Sequence, residues 1–276
     1  MATELPVQTG DGRTLSVHDS GAHPQDRLTV VWHHGSPQTG ALLAPLVALA
    51  AERGVRLVSY ARPSYGGSTP RPGRDVASAA EDVRAVADAL GLESVAVMGA
   101  SGGGPHALAC AALLPGRVTA VATLAGVAPF TDAFDWYAGM VQDGALRAAA
   151  RGREERARFT EDFDSEIFNA ADWAALEGPW SSLGADVARA GEAGDDGLVD
   201  DDVAFASDWG FEVAEVAAPV LLVHGGDDRV VPAAHSQWLV GVLPRAELWF
   251  RPRDGHVGVL DACPVAMDWL LHQAGR

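Results

Sequence analysis

The stretch Ser94-Val95-Ala96-Val97-Met98-Gly99-Ala100-Ser101-Gly102-Gly103-Gly104-Pro105-His106-Ala107-Leu108-Ala109-Cys110-Ala111-Ala112-Leu113 decides the fold. An apolar run rich in valine breaks into Gly-Ala-Ser-Gly-Gly, and an Ala/Leu-rich helical pattern follows at once. The order is strand, sharp turn, helix. Small residues at Gly99, Gly103 and Gly104 let two backbones pass closely. A serine in such a turn projects its hydroxyl above the sheet while the new helix aims its free N–H groups at the same space. Ser101 is therefore the candidate nucleophile. A flexible Gly/Ser turn without chemistry would have the same letters, so the rest of the chain must supply a base, an acid to orient it and an oxyanion hole.

The chain has 276 residues, 48% of them hydrophobic, enough for one large domain or one domain with an insertion. Its first residues, Met1-Ala2-Thr3-Glu4-Leu5-Pro6, lack the basic and apolar regions of a signal peptide, and no run approaches the about 18 apolar residues of a membrane span. A soluble, cytoplasmic protein is expected, with no membrane partner. Cys110 and Cys263 are too few for a disulfide framework and read as small buried apolar residues. No metal-ligand spacing is visible, and neither a metal nor a cofactor is expected. The charge is unevenly spread: residues 130–215 hold 21 Asp and Glu against six Arg, net −15, and the remainder is net −2. Such acidity without a basic stripe excludes nucleic acid as an expected partner. If those acids faced the site they would repel anionic substrates; on an outer face they would serve solubility only.

In chain order, residues 4–19 read as two strands around Gly10-Asp11-Gly12, a hairpin at the sheet edge. Leu28 to His34 and Val55 to Tyr60 are further strands, separated by a helical pattern over 40–52. Asp75 reads as the N-cap of a helix reaching Leu90. Ser101 and its helix come next, then a strand from Arg117 to Leu124. Strands alternating with helices imply an α/β fold with a mainly parallel sheet covered on both faces, ligands lying at the carboxyl ends of the strands. From 130 to 215 the rhythm stops. Helix-like pieces at 133–151 and 153–169, an acidic loop over 194–202 and four Trp suggest an inserted helical cap. The α/β pattern resumes with Pro219 to Gly225, a helix from Ala233 to Leu243, the strand Ala246 to Phe250 and a helix within 257–273. The expected organisation is a core of residues 1–129 and 216–276 with the cap at 130–215.

Four segments end neighbouring strands: His34-Gly35-Ser36-Pro37, Gly99 to Gly103, His224-Gly225-Gly226-Asp227-Asp228-Arg229-Val230-Val231-Pro232, and Asp254-Gly255-His256. In the order Ser, Asp, His, these resemble the α/β-hydrolase family, and the resemblance covers nearly all of the chain outside the cap. It implies a catalytic triad of Ser101, Asp228 and His256, with the backbone N–H groups of Ser36 and Gly102 as the oxyanion hole. Family spacing favours Asp228 over its neighbour Asp227; Asp132 is a weaker alternative acid. His34 is expected to support the first loop, and His33, His106 and His224 to be structural. The segment Arg62-Pro63-Ser64-Tyr65-Gly66-Gly67-Ser68 is similar to a family loop, except that Ala61 and Ser64 replace the usual Asp and Gly.

The resemblance implies a serine hydrolase, and the leading expectation is cleavage of a carboxylic ester of a small to medium, largely apolar substrate, neutral or cationic if the acidic segment roofs the site. Trp136, Trp173, Trp180 and Trp209 of the cap are candidate substrate-binding residues; packing of cap to core is the other reading of them. The alternatives are an iminopeptidase-like amidase, with Glu161, Asp162, Asp164 or Glu166 binding a substrate ammonium, and a lactonase, haloperoxidase-like enzyme or carbon–carbon bond hydrolase. A noncatalytic ligand receptor is the remote alternative. An aspartate nucleophile, as in dehalogenases, is disfavoured by Ser101.

Overall fold

The computed structural model describes residues 2–275. Its strands are β1 (Thr3–Gln8), β2 (Thr14–Asp19), β3 (Leu28–His33), β4 (Val55–Tyr60), β5 (Val95–Ala100), β6 (Val118–Leu124), β7 (Val220–Gly225) and β8 (Ala246–Arg251). They form one sheet in the order β1-β2-β4-β3-β5-β6-β7-β8. The β1–β2 hairpin pairs antiparallel and joins β4 antiparallel, while β3 to β8 run parallel. The fold is the α/β-hydrolase architecture expected.

β5 is buried on both faces, so its residues divide between two cores with the period of two that a strand imposes. Val95 and Val97 join a core with α2 (Ala79–Ala89), α3 (Gly103–Leu113) and α9 (Ala234–Val242); Ala96, Met98 and Ala100 join one with α1 (Ala44–Glu52) and α10 (Cys263–Ala274). After β3 the chain steps outward to β4 and then returns to place β5 on the other side of β3. That reversal opens a crevice at the carboxyl ends of β3 and β5. The loop at 34–38 and the turn at Ser101 therefore lie side by side.

Between β6 and β7 the described residues form no strand, and the elements there are α4 (Gly144–Ala149), α5 (Arg153–Arg158), α6 (Ala170–Glu177), α7 (Ser181–Glu192), α8 (Asp196–Phe205) and 3₁₀ turns at Ser165–Ile167 and Val213–Glu215, joined by loops. The pieces expected over 133–151 and 153–169 are much shorter. Gly139 and Gly152 interrupt them with φ of 92° and 112°, and Phe159 is extended. The segment 194–202, expected as a loop, is instead helical from Asp196 onward, as the first part of α8. The α2 helix begins at Ala79, because Asp75 Oδ1 accepts the Ser78 N–H (2.8 Å) and caps a turn ahead of it. Cys110 and Cys263 are free and buried, as expected.

Candidate active site

Ser101 follows β5 directly, at φ 52°, a left-handed conformation that costs a residue with a Cβ energy and is held here from both sides. Its N–H donates to the Leu124 carbonyl (2.8 Å) and its carbonyl accepts from Gly104 (2.9 Å). A Cβ at Gly99 would lie 2.3 Å from the Gly103 carbonyl oxygen, and one at Gly103 would lie 2.0 Å from that of His33. The glycines are thus required by the backbone crossing that turns strand into helix.

Ser101 Oγ lies 2.9 Å from His256 Nε2, and His256 Nδ1 lies 2.8 Å from Asp228 Oδ2. The second oxygen of Asp228 accepts the N–H groups of Val230 and Val231, both at 2.9 Å. Asp227 turns away to Asn169 Nδ2 (3.0 Å) and Arg229, and Asp132 is exposed. Burial works against the charge on Asp228, but His256 and His224 hold its carboxyl far below the usual carboxylate range. Burial likewise pushes His256 down from 6.5, yet the charge of Asp228, the hydrogen bond to it and the charge of Asp172 outweigh it and raise the imidazole. Burial moves His18, His33, His34, His106 and His235 the other way. His256 is thus set apart by its carboxylates.

The Ser36 and Gly102 N–H groups, one on each side of the crevice, donate to no protein acceptor among the described residues. The loop carrying Ser36 is held from below by His34, whose Nδ1 lies 2.7 Å from the Gly35 carbonyl and whose Nε2 accepts from the Arg62 N–H (3.2 Å). His106 Nδ1 contacts the Gly102 carbonyl (2.8 Å), and His224 lies between Ser236 Oγ and the Val231 carbonyl. His33 lies against Cys110. All four are buried. Ser64, in the place of the family's glycine, adopts the glycine-like φ of 74°.

A cavity of about 350 Å³ opens over Ser101 and His256. Trp32, Leu43, Ile167, Phe168, Leu176, Leu183, Val187 and Leu260 line it, with Phe163 at 63% exposure on its rim. Among the described residues no Asp, Glu or Arg side chain takes part. None of the four candidate Trp lines it either, which corrects their assignment to substrate. Trp136, Trp180 and Trp209 are buried and donate their indole N–H to the Ala128 carbonyl, Asp261 and the Phe205 carbonyl. Trp173 packs on Phe168 outside the lining. An indole seeks burial with one polar contact, and the seam between helices and sheet supplies both.

Sequence reasoning missed the residues that hold these loops from the helical segment. Asp201 of α8 is fully buried and meets Arg62 (2.6 Å), Arg74 (2.6 Å), Tyr65 Oη (2.9 Å) and the Ser36 hydroxyl (2.5 Å). Arg62 donates to the carbonyls of His34 and Gly35 as well. Asp186 of α7 accepts from Thr39 N (3.1 Å) and Thr39 Oγ1 (2.6 Å) behind the same loop. Only Arg62, within the family-like loop, carried a sequence signal. Asp201 was hidden within the acidic run at 194–202, and Asp186 carried no signal of its own.

The sequence profile of the alpha/beta hydrolase fold family matches residues 29–262. The chain belongs to that family and is an enzyme of the hydrolase class. It is 29% identical over 250 residues to a non-heme chloroperoxidase of Streptomyces lividans, covering 83% of this chain and 84% of that one. It is 27% identical to a bifunctional esterase/perhydrolase of Acinetobacter calcoaceticus, covering 82% and 83%. An esterase structure from Exiguobacterium antarcticum superimposes with a TM-score of 0.75 at 22% identity, over 99% of this chain and all of that one. No described helix is long and apolar enough to cross a membrane.

Proposed function

We propose that the chain is a serine esterase that cleaves carboxylic esters of small to medium, uncharged and largely apolar molecules. The observation that carries this is the hydrogen-bonded line Ser101–His256–Asp228 at the floor of an apolar cavity. Ser101 Oγ attacks the ester carbonyl carbon while its proton passes to His256 Nε2, and the carbonyl π pair moves onto oxygen. The N–H groups of Ser36 and Gly102 stabilise that oxyanion. On collapse, the bond to the alcohol oxygen breaks and His256 returns the proton to the leaving group. Water then attacks the acyl carbon, its proton going to His256; on collapse the bond to Ser101 Oγ breaks, His256 returns the proton to that oxygen, and the carboxylic acid departs. Asp228 holds the imidazole in the required tautomer throughout.

Residues 130–215 serve as the cap that closes the cavity from above. An iminopeptidase-like role is disfavoured, because Glu161, Asp162, Asp164 and Glu166 are exposed and absent from the cavity lining, leaving a substrate ammonium without a partner. The relatives named chloroperoxidase and esterase/perhydrolase favour one second reading. In it, hydrogen peroxide replaces water in deacylation and a peroxy acid departs. The test is labelling by a fluorophosphonate together with turnover of p-nitrophenyl esters, with and without peroxide. Labelling and turnover that both vanish in Ser101→Ala are expected; turnover that survives this substitution would end the reading.

A further inference from the structure

Five aspartates of the helical segment are buried, and four have an arginine: Asp186 has Arg189, Asp200 has Arg153, Asp201 has Arg62 and Arg74, and Asp202 has Arg156. Asp172, at 0% exposure, pairs with no cationic side chain among the described residues. It lies in the first turn of α6 and exchanges hydrogen bonds with the Asn169 cap: its N–H donates to Asn169 Oδ1 (2.9 Å) and its Oδ2 accepts the Asn169 N–H (3.1 Å). Its other oxygen reaches across to the sheet domain and accepts the N–H groups of Val257 and Gly258, both at 2.8 Å. On the near side, a Cβ at Gly255 would lie 2.0 Å from Asp172 Oδ2. The carboxylate therefore touches the backbone on both sides of His256.

We infer that Asp172 is a positioning residue for His256: it fixes the base loop from the helical segment and supplies a negative charge against the imidazolium that forms during catalysis. A helix cap alone needs neither burial nor the two N–H groups of another loop. A buried carboxylate without a cation is costly unless N–H donors meet it, and a transient imidazolium nearby is stabilised by it. The titratable and charged groups that face His256 are Asp228 from the loop after β7, with His224 behind it, and Asp172 from α6; Ser101 is the polar partner from the turn after β5. Asp254 in the base loop is occupied by Arg251, and the remaining cavity wall is uncharged. The upward displacement of the imidazole agrees with this arrangement.

The inference rests on the proposed Ser101–His256–Asp228 chemistry, so labelling of wild-type Ser101 by a fluorophosphonate is measured first. No labelling would overturn that chemistry and the inference with it. With labelling present, Asp172→Asn is compared with wild type on p-nitrophenyl butyrate. The expected result is a loss in kcat of about 10- to 100-fold with little change in KM. The acid limb of kcat/KM should also move down by roughly half a pH unit or more. Asn169→Ala, which removes the cap and leaves the charge, should lower Tm and leave that limb in place. An unmoved limb in Asp172→Asn, or behaviour matching Asn169→Ala throughout, would reduce Asp172 to a helix cap and overturn the inference. If Asp172→Asn does not fold, Asp172→Glu takes its place: a lowered kcat with the limb held supports the inference, and an undiminished kcat overturns it.

Discussion

The sheet and the helical segment bury opposite chemistry. β5 is a fully buried strand whose interior is valine, alanine and methionine, whereas α8 buries Asp200, Asp201 and Asp202 in succession. Apolar burial in the sheet is non-directional and fixes only which face points inward. A buried carboxylate must meet donors at one distance and angle, so it fixes position as well. Asp172, Asp186 and Asp201 each reach a loop at the candidate site. The remaining acids of the segment are exposed apart from the half-buried Asp143, and none lines the cavity. The net −15 thus divides into buried pins and a solvated outer face, and none of these acids lines the cavity, where it would meet an anionic substrate.

Striking the sheet side of this division should cost activity before stability. Asp228→Asn is expected to lower kcat by up to about 10⁴-fold with the fold retained, since the imidazole loses its tautomer. Asp227→Asn should stay close to wild type, because Asp227 contacts Asn169 and Arg229 instead of His256. Steady-state kinetics on both variants decide this, and a greater loss in Asp227→Asn would reverse the assignment.

Striking the segment side should cost stability first. Asp201→Asn leaves Arg62 and Arg74 buried without their shared carboxylate, and about 3–5 kcal/mol of unfolding free energy should be lost. Urea denaturation measures it. A loss below about 1 kcal/mol would show that the pin is dispensable and that apolar packing alone seats the helices.

The two sides meet at His256. In the proposed mechanism His256 acts as the base and must be neutral; burial lowers the imidazole but Asp228 and Asp172 raise it above the ordinary histidine range, so kcat/KM should fall as pH drops through a midpoint on the high side of that range. Below that midpoint the fall approaches tenfold per unit. Because the charge of Asp228 is the foremost raising influence, a pH profile of Asp228→Asn should show the limb at lower pH. A wild-type midpoint well below 6.5 would mean that burial outweighs both carboxylates.

The smallest effect belongs to the outer face. Matched cationic and anionic esters should differ in kcat/KM by no more than about threefold at 0.15 M salt, the gap narrowing further as salt rises. A large gap that salt leaves unchanged would place a charge inside the cavity.

Much of this was legible in the chain because its signals are local. An apolar run, a glycine-flanked serine and a strand-helix alternation are each decided within a few residues by sterics and period, and the order Ser101, Asp228, His256 singled out the residues that the sheet aligns. Where tertiary pairing overrode local pattern, the reading failed. The acidic run at 194–202 resembled a loop because aspartate disfavours helix interiors, yet from Asp196 on it is helical, and Arg62, Arg74, Arg153 and Arg156 receive its side chains. The four Trp suggested a substrate site because aromatic side chains suit pockets, but only the packing of helix on sheet could decide which apolar groups face the cavity and which fill the seam. The sequence by itself determined the sheet, the turn at Ser101 and the candidate reacting groups, since these follow from short-range geometry. The tertiary structure alone decided which carboxylates lie inside and which loops they hold, because a buried charge is placed by partners up to 165 residues away, as Ser36 and Asp201 are.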